Sequence, residues 1–248
     1  MTTTPTITHT ATSAPQGPDP HFIKNLFSSI SDGYDRANDL MTLGIARRWR
    51  KDLIRWSDAR PGQRVLDCAT GTGDLAISFK EIVGSSGRVI GTDFCPEMLA
   101  KAPLKAQMAR QEVEFVLGDV MNLPYLSDQF DICSIAFGIR NVNEPLTALK
   151  EMARVTRSGG LVMILETGDS RFPILGPLIH YYFQVIVPLI GGLVTGKRPA
   201  YEYLCQSSKT FPGKEKFISL MNSTGVFSQV QCRSLMGGAS YLYKGIVK

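Results

Sequence analysis

The sequence predicts an α/β fold: a mostly parallel, seven-stranded sheet with helices on both faces and an antiparallel hairpin at the C-terminal end. Three observations carry that expectation. Strand-like and helix-like patterns alternate across residues 64–165, and such alternation joins parallel strands through helical crossovers. The first strand runs directly into a glycine-rich turn at Gly71 and Gly73, where sheets of this kind open onto a ligand crevice. The last two strand-like segments are separated by Gly237-Gly238, a hairpin signal.

Residues 1–20 are mostly Thr, Ser, Ala, Pro and Gly without apolar periodicity, and a disordered tail is expected there. The tail lacks the basic start and apolar run of a secretory signal and the arginines of a transit peptide. A single domain is expected over residues 21–248. Phe22, Ile23, Leu26, Phe27 and Ile30 recur at helical spacing, and Asp32-Gly33 reads as a turn. A second helical stretch contains Leu40, Met41, Leu43, Ile45 and Trp49 and ends in the basic cluster Arg47, Arg48, Arg50 and Lys51. That cluster is either a solvated helix face or a dock for anionic lipid headgroups.

Strands are expected at residues 64–69, 88–93, 113–117, 130–136 and 161–165, the last preceded by a turn at Ser158-Gly159-Gly160. Helices are expected at residues 96–109, with a proline in the first turn, and at 145–155, which is amphipathic. Near the end, a helix over 214–221 precedes strands at 229–235 and 240–247. Residues 172–196 are long, apolar and free of Lys, Arg, Asp and Glu. Their length would allow a membrane span, but Pro173, Pro177, Pro188, Gly191 and Gly192 interrupt them. A core helix or an apolar lid over a greasy ligand fits better, and residues 172–210 are expected to form such an insertion.

The chain has 248 residues, 44% of them hydrophobic and 20% charged. That suffices for a sizeable core and excludes disordered, collagen-like and disulfide-scaffold classes. Its five cysteines include no Cys-x-x-Cys pair, which argues against a zinc site or disulfide framework and for a reducing compartment. The net charge of +5 permits contact with nucleic acid or anionic lipid and requires neither.

The strongest local signal is Val65-Leu66-Asp67-Cys68-Ala69-Thr70-Gly71-Thr72-Gly73-Asp74, a strand, a tight turn and a helix start. Glycines admit a ligand close to the backbone, and the helix start offers free N–H groups. Asp93 follows at the end of the next strand, where a carboxylate accepts ribose hydroxyls. Gly71, Gly73 and Ala76 satisfy a loose dinucleotide pattern, but no Tyr-x-x-x-Lys accompanies it. S-adenosylmethionine fits better, because Asp67, Asp93 and Asp119 stand at three successive strand ends.

The chain resembles the ubiquinone/menaquinone C-methyltransferase family. The supporting segments are Tyr34-Asp35-Arg36-Ala37-Asn38-Asp39-Leu40-Met41, Leu43-Gly44-Ile45-Ala46-Arg47-Arg48-Trp49 and the Thr70 to Leu75 loop. Phe137-Gly138-Ile139-Arg140-Asn141-Val142 and Tyr203-Leu204 with Ser207 complete the set. The glycine loop marks methyltransferases generally, whereas the Phe-Gly-Ile-Arg-Asn-Val run is far more specific. The resemblance implies a Rossmann-like class I methyltransferase fold and methylation of a ring carbon on a polyprenyl quinol. It implies that Thr72, Asp93, Asp119 and Val120 hold the methyl donor, with Asp67, Gly71, Gly73, Phe94 and Ala136 around it. Asp119-Val120 stand where the family often has Asn-Ala, Ala136 where it often has serine, Ala46 where histidine is usual, and Thr167 where phenylalanine is usual. These departures bear on specificity more than on reaction class.

Under this reading the enzyme aligns an activated methyl group with an aromatic carbon beside a phenol. Arg140, always charged, is expected to stabilise the phenolate, with Asn141, Tyr34 and Tyr203 orienting the ring. The insertion is expected to keep water out. No metal is expected. The implied setting is cytoplasmic, on the inner face of a membrane, with no nucleic acid and a homodimer left open. Blander roles exist: Arg140 pairing with a surface acid, Asp67 capping its turn, and Tyr34 and Tyr203 as ordinary half-buried aromatics. The competing functions are methylation of another small hydrophobic molecule or of RNA, and a non-catalytic lipid adaptor.

Overall fold

In a computed structural model, residues 17–168 and 181–248 are described. Residues 1–16 of the tail expected over 1–20, and residues 172–180 of the apolar segment expected over 172–196, lie outside them. The seven strands are β1 (Arg64–Cys68), β2 (Arg88–Asp93), β3 (Glu114–Leu117), β4 (Phe130–Ala136), β5 (Thr156–Thr167), β6 (Phe227–Leu235) and β7 (Ser240–Val247). They form one sheet in the order β3-β2-β1-β4-β5-β7-β6. β1, β2, β3, β4 and β5 pair in parallel, while β7 runs antiparallel to both β5 and β6. This is the expected mostly parallel sheet with its C-terminal hairpin.

The period of two along each strand divides the core. Leu66 and Cys68 of β1 and Val162 and Ile164 of β5 face α7 (Pro145–Val155) and α10 (Lys214–Ser223), packing with Leu149, Met152, Phe217 and Met221. Val65, Met163 and Leu165 face the opposite layer, where α3 (Ile45–Ser57) and α4 (Asp74–Val83) supply Leu53, Trp56, Leu75 and Phe79. A third cluster is purely helical. It joins α1 (Pro20–Ile30), α2 (Tyr34–Thr42), α8 (Val187–Thr195) and α9 (Arg198–Thr210) through Leu26, Ile30, Ala37, Met41, Val187 and Tyr201.

Four expectations change. Residues 17–20 belong to the folded part: the Gly17 amide donates to the Asn143 carbonyl, and Asp19 caps α1 by accepting from the Phe22 amide at 2.8 Å. The second helical stretch is two helices, because Leu43 and Gly44 both adopt left-handed backbone. The helix expected at 96–109 is split into α5 (Pro96–Leu99) and α6 (Ala102–Met108). Pro103 has no amide hydrogen for the carbonyl four residues earlier, so the helix restarts there. The turn at 158–160 is absorbed into β5 as a bulge: the β4 register steps from Phe130↔Thr156 to Ile132↔Leu161. Within the insertion, Tyr182–Ile186 forms a π-helical turn leading into α8. Pro188 removes the next regular helical donor, which accounts for the wider spacing before it. Among the described residues no helix is long and apolar enough to cross a membrane.

Candidate active site

The strand order reverses between β2 and β4, which flank β1 on either side. The carboxyl ends of these three strands splay around a cleft. Two non-glycine residues in left-handed conformation form its floor: Ala69, directly after β1, at φ 48°, and Phe137, directly after β4, at φ 58°. Such strain persists where surrounding packing enforces it. Here Gly138 presses on Ala69, and a Cβ on Gly138 would stand 2.7 Å from the Ala69 methyl. Gly71, at φ 57°, turns its amide toward β2 and donates to Asp93 Oδ2 at 2.8 Å.

Asp93 closes β2 and is 7% exposed. Its other oxygen, Oδ1, accepts from the Cys95 amide at 2.9 Å. Burial raises its pKa against the pull of these backbone donors. The carboxylate is therefore held rigidly at the cleft edge, each oxygen keeping lone-pair capacity for a ligand hydroxyl. Phe94, Asp119, Val120 and Ala136 also line the cleft, as do Tyr34 and Asn141. Asp119 Oδ1 accepts from the Met121 amide at 2.9 Å, which fixes the turn after β3. The lining contains two acids, Asp93 and Asp119, and no lysine or arginine among the described residues. A cleft of that charge favours a cation and disfavours a pyrophosphate. The faces of Phe27, Tyr34, Phe94 and Phe137 in the lining favour a cation further.

Five expected residues stand outside the lining. Asp67 is 1% exposed, beneath the glycine turn, accepting from Thr70 Oγ1 and Ser134 Oγ at 2.7 Å each. Burial pushes its pKa up to about 6, with those hydroxyls opposing. Through Thr70 Oγ1 the Asp67 carboxylate is tied to the glycine turn above it. Gly73 caps α4 and packs on Phe115, whose ring would lie 3.0 Å from a Cβ. Thr72 is buried, stands outside the lining and donates to Asp35 Oδ1 at 2.7 Å. Lys105 Nζ reaches Thr72 Oγ1 at 3.0 Å and Asp35 Oδ2 at 2.6 Å, and also pairs with Asp74. Arg50 joins at 3.4 Å from Asp74 and 5.7 Å from the Phe137 ring centroid. Burial would raise the pKa of Asp74, but Arg50 and Lys105 outweigh it and hold the carboxyl below its usual range. Asp35, Lys105, Asp74 and Arg50 thus tie α2 and α3 to the glycine turn, a network the sequence reading missed because its members are scattered along the chain.

Arg140 is also set back. Its Nη1 donates to Glu166 Oε1 at 2.5 Å and to the Phe137 carbonyl at 2.9 Å, and Nε lies 3.4 Å from Ser207 Oγ. Glu166 is fully buried, so the pair is a buried one and not the surface pair the blander reading supposed. Nη2 keeps its two hydrogens unpaired among the described residues. The neighbouring Asn141, 9% exposed, accepts from the Tyr203 hydroxyl at 3.3 Å through Oδ1. Its Nδ2 is buried, has no partner among the described residues and belongs to a residue lining the cleft. Burial pushes the phenols of Tyr34 and Tyr203 up, while the Arg140 charge pulls both the other way. Glu166 could have been found from sequence: it is one charge ending an apolar strand, and the Ala136↔Leu165 register sets it beside the turn carrying Arg140.

Over residues 16–247 the chain matches the ubiE/COQ5 methyltransferase family. It is 52% identical over 231 residues to the ubiquinone/menaquinone biosynthesis C-methyltransferase UbiE of Bdellovibrio bacteriovorus, covering 93% of this chain and 98% of that protein. It is 37% identical to a demethylmenaquinone methyltransferase of Lysinibacillus sphaericus, covering 91% and 96%. Among solved structures, magnesium protoporphyrin IX methyltransferase of Synechocystis superposes with a TM-score of 0.64 at 16% identity, covering 93% and 100% of the two chains. The [4+2]-cyclase SpnF reaches 0.63 at 13% identity, covering 94% and 98%, so the fold by itself does not fix the reaction. The family match spans nearly the whole described chain, cleft included: this protein belongs to the ubiE/COQ5 methyltransferase family.

Proposed function

We propose that this protein transfers a methyl group from S-adenosylmethionine to a ring carbon of a polyprenyl quinol, demethylmenaquinol or the corresponding ubiquinone precursor. The observation that carries the reading is the cleft itself. Its lining carries Asp93 and Asp119 together with Asn141, whose Nδ2 is buried without a partner among the described residues. A buried amide without an acceptor is costly, and a ligand oxygen removes that cost. The names of the relatives from Bdellovibrio and Lysinibacillus supply the substrate class.

The residues fit the methyl donor. Asp93 would hold the ribose hydroxyls, Phe94, Val120 and Asp119 would hold the adenine, and the backbone at Gly71 would hold the amino-acid part. Thr72, Gly73 and Asp67 support the turn from behind without lining it. Ala136 offers no hydroxyl, and leaves room in its place. The donor supplies a methyl group already activated by the sulfonium.

The protein's own part is positioning and charge. Asn141 Nδ2 and Arg140 Nη2 stabilise the oxygen of an ionised quinol, which makes the adjacent ring carbon nucleophilic. Glu166, Phe137 and Ser207 hold the guanidinium still, and Tyr203 fixes the orientation of Asn141. Bound beside a donor cation, an ionised quinol would react with loss of charge, and an enclosed apolar setting would favour that loss. The helices α1, α2, α8 and α9 provide that setting, as the lid over the cleft. Association with the inner face of the cytoplasmic membrane follows from the substrate, since a polyprenyl tail resides in lipid.

The test is incubation of purified protein with donor labelled in the methyl group and with reduced demethylmenaquinone. Ring-carbon labelling in the product is expected. Labelling on oxygen, or none on either quinol class, refutes the reading and favours another hydrophobic acceptor or a non-catalytic adaptor.

A further inference from the structure

We propose that the outer face formed by α2 and α8 is the surface by which this protein docks on an anionic lipid bilayer. The proposal rests on the quinol reading, which calls for a bilayer without saying which face meets it. The helix from Tyr181 through α8 leaves one row of apolar side chains in solvent: Tyr181 at 55%, Val185 at 37%, Leu189 at 45% and Leu193 at 78% exposure. Four-residue spacing places them along a single helix face. Helix α2 lies alongside in the opposite direction. The Tyr182 hydroxyl donates to the Met41 carbonyl at 2.6 Å, and Gly33 abuts Val194 and Thr195 at the other end. The inner rows of both helices, Ala37 and Met41 with Val187, pack with Tyr201 in the helical cluster. The outer row of α2 ends in Leu40 at 51% and Leu43 at 80% exposure. Exposed large aliphatics concentrated on two adjoining helices mark an interaction surface.

Charge selects the occupant. No charged residue lies between Tyr181 and Gly196, and cations stand at both ends of the apolar rows. Arg47, Arg48 and Lys51 follow Leu43 at one end, and Lys197 and Arg198 follow Leu193 at the other. Arg47 pairs with Asp39 and Arg198 with Glu202, whereas Arg48, Lys51 and Lys197 make no ion pair among the described residues. An apolar ridge between cationic ends suits a headgroup layer, with leucines entering the acyl boundary and cations meeting lipid phosphates. A second copy fits poorly. Because both ends are cationic, two-fold pairing through this face sets cation against cation in either orientation.

The experiment is flotation of the full chain with vesicles of phosphatidylcholine alone and of phosphatidylcholine with phosphatidylglycerol. Binding to the anionic vesicles, weakened by salt, is expected. Arg48→Gln with Lys51→Gln should weaken partitioning about thirty-fold, from about fivefold per cation. Leu189→Glu with Leu193→Glu should weaken it at least about tenfold. Leu126→Glu, at a leucine 75% exposed elsewhere, should leave it unchanged. Circular dichroism and donor affinity by calorimetry report folding, and both should stay at wild-type values. Wild-type protein that ignores anionic vesicles, or leucine variants that bind as wild type, overturns the proposal. So does a wild-type dimer that those variants dissociate, if vesicle binding is absent. Turnover of a quinol with a single isoprene unit in lipid-free buffer separates the two readings. Face-dependent vesicle binding without turnover of any quinol leaves docking standing and removes the quinol reading. Turnover with face-independent binding does the reverse.

Discussion

Replacing Glu166 with glutamine keeps the side-chain shape and removes one charge from a pair that water does not reach. Glu166 is 0% exposed, and the Arg140 side chain is 8% exposed. The carboxylate also accepts from the Arg140 amide, the Thr167 amide and the Thr167 hydroxyl. Glutamine offers one acceptor oxygen for these donors and adds an amide beside a guanidinium. Leaving one member of a buried ion pair uncompensated costs about 3–5 kcal/mol. In a domain of this size, about 3 kcal/mol lowers Tm by about 6–12 °C. The exposed pair of Arg60 with Asp58, side chains 72% and 74% exposed, provides the control, where Asp58→Asn should change little. Urea unfolding followed by circular dichroism measures both. Combining Glu166→Gln with Arg140→Met removes both charges and should recover stability relative to Glu166→Gln alone. A single variant within about 1 kcal/mol of wild type, or a double variant no more stable than the single, contradicts the argument.

Arg140→Ala should keep donor affinity, because Arg140 takes no part in the proposed donor contacts, and lose about 10²–10³ in kcat; unchanged turnover removes Arg140 from the mechanism. Asp93→Ala should weaken donor binding in calorimetry by more than about tenfold, given the strength of hydrogen bonds to a charged group; unchanged affinity means the ribose lies elsewhere. Asp67 has a folded pKa of about 6 against an ordinary value of 3.8. A raised carboxyl pKa means its stabilising contribution is complete below the ordinary value and is lost as pH rises through about 6, a change of about 3 kcal/mol. Asp67→Asn should therefore flatten the fall in urea midpoint between acidic and neutral pH, and an unaltered fall would locate the titration in another group. Asp35→Asn should speed amide hydrogen exchange in α2 by loosening its tie to Thr72 and Lys105; equal exchange rates would show that the helix is held by its apolar face alone.

The sheet was legible because short apolar runs bounded by turn residues alternate with helical patterns, as strands buried on both faces require. The apolar run of β5, the glycine turn and the Gly237-Gly238 hairpin all report on local backbone, and the topology follows from them. Two helix breaks were hidden. Apolar spacing continues across Leu43-Gly44 and across residues 96–109, while the interruption depends on backbone dihedrals and on one missing proline donor. Of the three acids read from the strand ends, Asp93 and Asp119 line the cleft and Asp67 lies outside its lining, while Tyr34 and Asn141 from the more specific motifs line it. Thr72 and Arg140 stand in the same motifs but turn toward Asp35 and Glu166, partners 37 and 26 positions away in sequence. Motifs record which residues a site uses, and only the packing records which way each one faces.

The central claim is that one cleft holds donor and ring together, with Asp93 on one side and Asn141 on the other. A crystal structure with S-adenosylhomocysteine and a non-reactive quinol analogue tests it most directly. The account predicts ribose hydroxyls on the Asp93 carboxylate and the ring oxygen within hydrogen-bond reach of Asn141 Nδ2. A donor product bound away from the turn after β1, or a ring oxygen that touches neither Asn141 nor Arg140, would contradict it.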